Sequence, residues 1–188
     1  MPIGYNFGTS CLSPIDNSSV FLIGGRTWII TSATKIYYSY ISSVYKFNSK
    51  TSQWTTPTIN NFNFNFTARS DIQAVVDNNG KIFIFGGTNY ISSTKTPTFN
   101  IYNDMNTLDI TTMTWSTQIQ SQSALTYFAY TATLLPNGLI VYIGGNSGSS
   151  TNTSLSDMAQ IQAFDTIFYT WSTKVMYKID IIYDNNYT

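Results

Sequence analysis

The 188-residue chain has no histidine and no glutamate; its nine acidic residues are all aspartate. Without imidazole, a Ser-His-Asp or Cys-His catalytic arrangement cannot be built. Zinc or copper held by histidine is excluded for the same reason. Cys11 is the one cysteine, so no internal disulfide forms, and a lone thiol in a strand reads as a small packed hydrophobe. Charged residues make up 10% of the chain, against about 25% in an average soluble domain. Nine bases balance nine acids, so nothing steers the chain toward nucleic acid or an anionic membrane. No apolar run approaches the roughly 20 residues of a membrane-spanning helix. The start, MPIGYNFGTS, has no basic stretch followed by an apolar core, so no signal peptide is expected. A cytoplasmic location is the default expectation, and it lapses if the chain is a fragment. Four N-x-[ST] sequons begin at Asn17, Asn65, Asn152 and Asn186. Eighteen Asn in so Ser- and Thr-rich a chain yield roughly four or five by chance, so they carry no signal.

Hydrophobic content is 43%, enough for a core. The strongest pattern is a threefold repeat. VFLIGG, IFIFGG and IVYIGG end in Gly24-Gly25, Gly86-Gly87 and Gly144-Gly145, pairs 62 and 58 residues apart. Asn79-Gly80 and Asn137-Gly138 precede the second and third pairs, with Asn17-Ser18 at the same place in the first. Asn-Gly between apolar runs predicts a hairpin. Downstream stand Trp54, Trp115 and Trp171, each opening a W-[ST]-T triplet. Asn48, Asp109 and Asp165 lie six residues before them and predict a second turn, where Asx side chains take backbone N–H groups. Each unit therefore reads as four strands, a to d.

Side chains alternate faces along a strand, yet the b strands are apolar on both. In strand c, Val44 and Phe47, Met105 and Leu108, and Ile161 and Phe164 are three apart, so both faces are apolar there too. A sheet buried on both faces gives this pattern. Repeated four-stranded units are the signature of propeller blades. The glycine pair is expected to end strand b at a sharp bend with close backbone approach.

An apolar run, Gly-Gly, a variable loop, an alternating strand, a turn and a Trp together resemble the kelch repeat, the blade of the galactose-oxidase-like β-propellers. The expected fold is all-β: a partial propeller of three four-stranded blades, at about residues 7–56, 67–117 and 126–173, in a ring this chain does not close. The tail, 174–188, falls outside the pattern. The family's common Arg at the start of strand a occurs once, as Arg69, with Phe7 and Tyr127 in its place elsewhere; Arg69 reads as a bridge between blades.

The resemblance implies a scaffold that binds a partner, most often a protein, through its loops. It implies no cofactor and no metal. The b–c segments 26–42, 88–103 and 146–156 and the d–a connections fall at one end of the blades. They carry Arg26, Trp28, Tyr37, Tyr38 and Tyr40, then Tyr90, Phe99 and Tyr102, and the NFNFNF run with Phe62, Phe64 and Phe66. Aromatic groups are favoured interface anchors and also stack on sugars. Two other readings stand beside this one: a fragment of a galactose-oxidase-like enzyme, and a carbohydrate-binding propeller. The oxidase chemistry needs imidazole ligands that this chain lacks. Asp71, Asp104 and Asp157 are the acids without an evident turn duty. With apolar positions on both faces of the end blades, self-association through unpaired blade faces is expected.

Overall fold

The computed structural model describes residues 5–32, 35–39, 44–61, 69–91, 98–118, 126–149 and 151–175. Among them every regular element is a strand, so no helix is long and apolar enough to cross a membrane. In chain order the strands are β1 (Tyr5–Leu12), β2 (Ser19–Ser32), β3 (Lys35–Ser39), β4 (Val44–Asn48) and β5 (Gln53–Thr55). Next come β6 (Ala74–Val76), β7 (Lys81–Phe85), β8 (Thr88–Ile91), β9 (Thr98–Ile101), β10 (Met105–Asp109) and β11 (Thr114–Gln118). The last are β12 (Tyr127–Phe128), β13 (Thr131–Leu134), β14 (Leu139–Ile143), β15 (Asn146–Ser149), β16 (Asn152–Leu155), β17 (Gln160–Asp165) and β18 (Thr170–Val175).

These form three antiparallel blades: β1-β2-β4-β5, β6-β7-β10-β11 and β13-β14-β17-β18. Two apolar clusters lie between them. The first joins Phe21, Ile23 and Val44 of blade 1 to Ile82, Ile84, Leu108 and Trp115 of blade 2. The second joins Phe83, Phe85 and Met105 of blade 2 to Ile140, Tyr142 and Phe164 of blade 3, with Trp171 packed against it. The two-sided strands thus have a simple cause. Alternate residues of β7 serve different neighbours: Ile82 and Ile84 face backward, Phe83 and Phe85 forward. Val44 faces forward, while Phe47 lies on the other face, its ring 5.0 Å from that of Trp54.

The turns follow their sequences with one correction. In the c–d turn of blade 2, the Asp109 carboxylate accepts from the N–H groups of Thr111 and Thr112, at 2.8 and 3.3 Å. Asp165 and Asn48 do the same in the other blades. Asp109→Ala should therefore cost about 1 kcal/mol in urea denaturation, and Asp109→Asn nearly nothing, since Asn48 performs the role in blade 1. The a–b turns are not the Asn-Gly type with two left-handed residues. Each has one left-handed residue: Gly80 and Gly138 at φ 82° and 84° in blades 2 and 3, and Asn17 at φ 49° in blade 1. Gly80 N donates to Asp77 O and Asp77 N to Lys81 O, a three-residue loop closed by a glycine bulge. In blade 1 the loop runs from Ser13 to Ser19, two residues longer. Tyr5, not Phe7, therefore holds the place of Arg69 and Tyr127.

In blades 2 and 3 the glycine pair ends strand b, as expected: β7 stops at Phe85 and β14 at Ile143, whereas β2 of blade 1 runs through its pair unbroken. Both members are left-handed in all three blades, with φ from 59° to 89°. Beyond the pair, β8 begins at Thr88 and β15 at Asn146, in small sheets of their own. The segments expected as loops are therefore ribbons, pairing β2 with β3, β8 with β9, and β15 with β16.

Candidate functional site

The three ribbons leave the glycine-pair end of the blades, opposite the a–b and c–d turns. Each is tied down by the residue that opens its own blade. Asn6 pairs with Arg26, Ser70 with Thr88, and Phe128 with Asn146. The residue after each of these openers is left-handed: Phe7, Asp71 and Ala129, with φ of 57°, 59° and 55°. This conformation is uncommon for residues other than glycine, and its threefold recurrence turns the chain from ribbon into strand a.

Charge is concentrated at this turn in blade 2. Arg69 is buried, with 1% of its side chain exposed. Its Nη1 and Nη2 donate to the two carboxylate oxygens of Asp104, the second at 2.8 Å. Nη1 also donates to Gly86 O at 3.0 Å, and the guanidinium lies 3.9 Å from the Tyr102 ring centroid. Burial pushes the Asp104 carboxyl upward, but hydrogen bonds and charge from Arg69, with help from Asn106, outweigh it. The net position is below the ordinary carboxylate range. These side-chain partners of Arg69 all belong to blade 2, so the guanidinium ties its own blade together, and the expected bridge to another blade is made by the Arg69 main chain, whose carbonyl accepts from Gly25 N at 2.6 Å. Asp71 accepts from the Thr88 hydroxyl at 2.6 Å, and Asp157 caps the turn before β17 through Ala159 N. Asp71, Asp104 and Asp157 thus all have partners, Asp180 and Asp184 lie outside the described residues, and no group of three metal-ligating side chains occurs among the described residues. Burial pushes the Cys11 thiol up to about 12, which keeps it protonated and inert.

The residues named as contact candidates fall into three groups. Arg26 opens the first ribbon, where its Nε donates to Ser70 Oγ at 3.0 Å and its guanidinium lies 5.2 Å from the Phe7 ring. Trp28 is on β2, Tyr37 and Tyr38 on β3, and Tyr90 on β8; Trp28 pairs with Tyr38 and Tyr90 with Phe99 in the ribbon registers. Tyr40, Phe62, Phe64, Phe66 and residues 176–188 of the tail lie outside the described residues. Gly24, Gly25, Gly86, Gly87, Trp115 and Trp171 sit at blade junctions, Gly144 and Gly145 on the open forward side of blade 3, and Trp54 on the outer face of blade 1.

Ribbons two and three stand side by side. Phe99 meets Phe128 edge-on at 6.3 Å. A cleft of about 450 Å³ opens beside them, lined by Asn100, Ile101, Tyr102, Thr126, Gly148 and Ser149. Its wall is more apolar than polar. A larger cleft of about 750 Å³ lies at the opposite end, between the turns of blades 2 and 3. There Lys81 donates to the Tyr169 hydroxyl at 2.8 Å, a bond that raises the lysine above its ordinary range. Lys81 and Tyr169 are 88 residues apart, and nothing in their local sequence announces the pair.

Comparisons with known proteins follow from this geometry. The family described as the KLHDC2/KLHL20/DRC7 Kelch-repeats domain matches residues 4–180. No curated protein matches the chain. Among solved structures, that of YjhT superimposes with a TM-score of 0.62 at 14% identity, covering 95% of this chain and 52% of its own. The likeness shows the fold, and the chain spans about half the length of that structure.

Proposed function

The chain belongs to the kelch-repeat domain family, and on that premise we propose that it is a non-catalytic scaffold that binds a protein partner through its ribbon end. One observation carries this reading: all three repeats form a paired ribbon beyond the glycine pair, at the same end of the blades, and the first two ribbons carry Trp28, Tyr37, Tyr38, Tyr90 and Phe99. Ribbon strands end in open edges, which accept an extended peptide by backbone hydrogen bonding. Strand β16 is such an edge, exposed along its whole length. The cleft beside ribbons two and three adds polar backbone for orientation, and Arg26 over the exposed Phe7 ring adds a cation at the rim of the first ribbon. The absence of imidazole and the local duties of the aspartates support a binding role over a catalytic one. We take residues 1–188 to act as one repeat array.

The test is selection from a phage-displayed library of linear peptides on the immobilised chain. Peptides recovered on wild type should lose about tenfold or more in affinity, roughly 1.4 kcal/mol, on Tyr38→Ala and Tyr90→Ala. Phe168→Ala, in the exposed c–d turn at the opposite end, should bind as wild type does. Recovery of no peptide above background, or a loss confined to Phe168→Ala, would refute the ribbon end as the binding face.

A further inference from the structure

Both blade junctions are stitched by the same three hydrogen bonds. The second glycine of one blade donates to the entry carbonyl of the next: Gly25 N to Arg69 O at 2.6 Å, and Gly87 N to Tyr127 O at 2.8 Å. The left-handed residue of the later blade donates to its counterpart in the earlier one: Asp71 N to Phe7 O at 3.1 Å, and Ala129 N to Asp71 O at 2.8 Å. A side-chain oxygen two residues further on accepts from strand a of the next blade: Thr9 Oγ1 from Ala74 N at 2.9 Å, and Gln73 Oε1 from Ala132 N at 2.8 Å.

The two open ends hold the missing halves of a third such junction. Blade 3 has Gly145 N–H, Ala129 C=O and the exposed Thr131 hydroxyl at the three positions of its forward side. Blade 1 has Tyr5 C=O, Phe7 N–H and Ser10 N–H at the three positions of its backward side. Ser10 pairs with Leu22 as Ala74 does with Ile84 and Ala132 with Tyr142. Among the described residues none of these six groups meets another blade.

The side chains agree. The forward positions filled by Phe21, Ile23 and Val44, and by Phe83, Phe85 and Met105, are Val141, Ile143 and Ile161 in blade 3. These are half-buried or exposed where their counterparts are buried. The backward positions filled by Ile82, Ile84, Leu108 and Trp115 are Val20, Leu22, Phe47 and Trp54 in blade 1, all half-buried. Gly144 makes the same point. A Cβ on Gly24 or Gly86 would strike the next blade's entry carbonyl at 2.5 or 2.3 Å, whereas one on Gly144 meets only Met158 sulfur, at 3.7 Å.

We propose that a second copy of this chain covers both faces. Blade 3 of each copy docks on blade 1 of the other through the junction already used twice within the chain, closing a two-fold ring of six blades. A head-to-tail contact closes when its rotation completes a circle, and six lies within the four to eight blades that propellers use. Two copies also supply about the length of YjhT, of which one copy covers 52%.

Light scattering coupled to size exclusion, over about a hundredfold dilution, should report twice the 21.1 kDa chain mass. Ile143→Asp and Leu22→Asp should each reduce it to one chain mass. Mixed in equal amounts they should recover a two-chain particle, because the intact blade 3 of one meets the intact blade 1 of the other. Should either variant fail to fold by circular dichroism, hydrogen exchange on wild type decides: the Gly145 and Phe7 amides must be as protected as those of Gly87 and Asp71. A wild-type particle of one chain mass would overturn the proposal. So would an open-ended polymer, a dimer indifferent to both variants, or fast exchange at Gly145 and Phe7.

Discussion

Gly86→Ala should cost about 3–5 kcal/mol, at the severe end of point substitutions. The residue is left-handed, φ 59°, which costs a side chain about 1–2 kcal/mol. The larger part is steric. The new Cβ would lie 2.3 Å from Tyr127 O and 3.0 Å from Tyr102 O. Both are backbone atoms, so no rotamer change relieves the contact. Tyr127 O is also the acceptor for Gly87 N, so moving it breaks a blade-junction hydrogen bond. Gly144→Ala is the control, with φ 68° and no atom nearer than 3.7 Å; it should lose only the conformational 1–2 kcal/mol. Both should be compared by urea denaturation in a Leu22→Asp background, which removes self-association as a variable. Equal losses would refute blade contact as the reason for the first glycine.

Arg69→Ala should cost about 3–5 kcal/mol, the range for breaking a buried ion pair by removing one partner. Four interactions vanish together: two hydrogen bonds to Asp104, one to Gly86 O, and the stack on Tyr102. Lysine should rescue little, because it cannot reproduce the planar two-pronged contact. The pH dependence identifies the mechanism. In the wild type the folded-state Asp104 sits below its ordinary value, so its stabilisation is complete above the unfolded carboxylate range and is lost as pH falls through the lowered value. Asp109, held down chiefly by the Thr111 hydroxyl, and Asp16, held down chiefly by Ser19, act in the same direction. Without Arg69, burial is opposed only by the Asn106 and backbone hydrogen bonds, so Asp104 moves up from its wild-type position and less stabilisation is lost at that site on acidification. The stability gap between wild type and Arg69→Ala should therefore be widest near neutral pH and narrow as pH falls through the carboxylate range. A gap that stays constant on acidification would show that the loss is packing and not the ion pair.

Much of this molecule is local, and local physics is legible. Apolar residues on both faces of VFLI, IFIF and IVYI required sheets sandwiched between sheets. Asn48, Asp109 and Asp165 marked turns because their side chains reach N–H groups two and three residues on, a distance that needs no tertiary contact. The missing histidine removed whole classes of chemistry at once. What the tertiary structure alone decided are matters of register between distant segments. Alternation shows that Val44 and Phe47 oppose each other, but which one meets a blade and which meets water depends on where the neighbour stands. The stitching at the blade junctions is largely made by main-chain groups, which every residue carries and no sequence marks. Tyr5 replaced Phe7 as the counterpart of Arg69 because a turn grew by two residues, which changes spacing and leaves the pairing unchanged. The glycine pairs announced close approach and the end of strand b in blades 2 and 3, but only the structure showed that β2 runs on through its pair and that each segment beyond pairs into a ribbon: glycine permits both an end and a continuation, and the hydrogen bonds of the next segment choose between them.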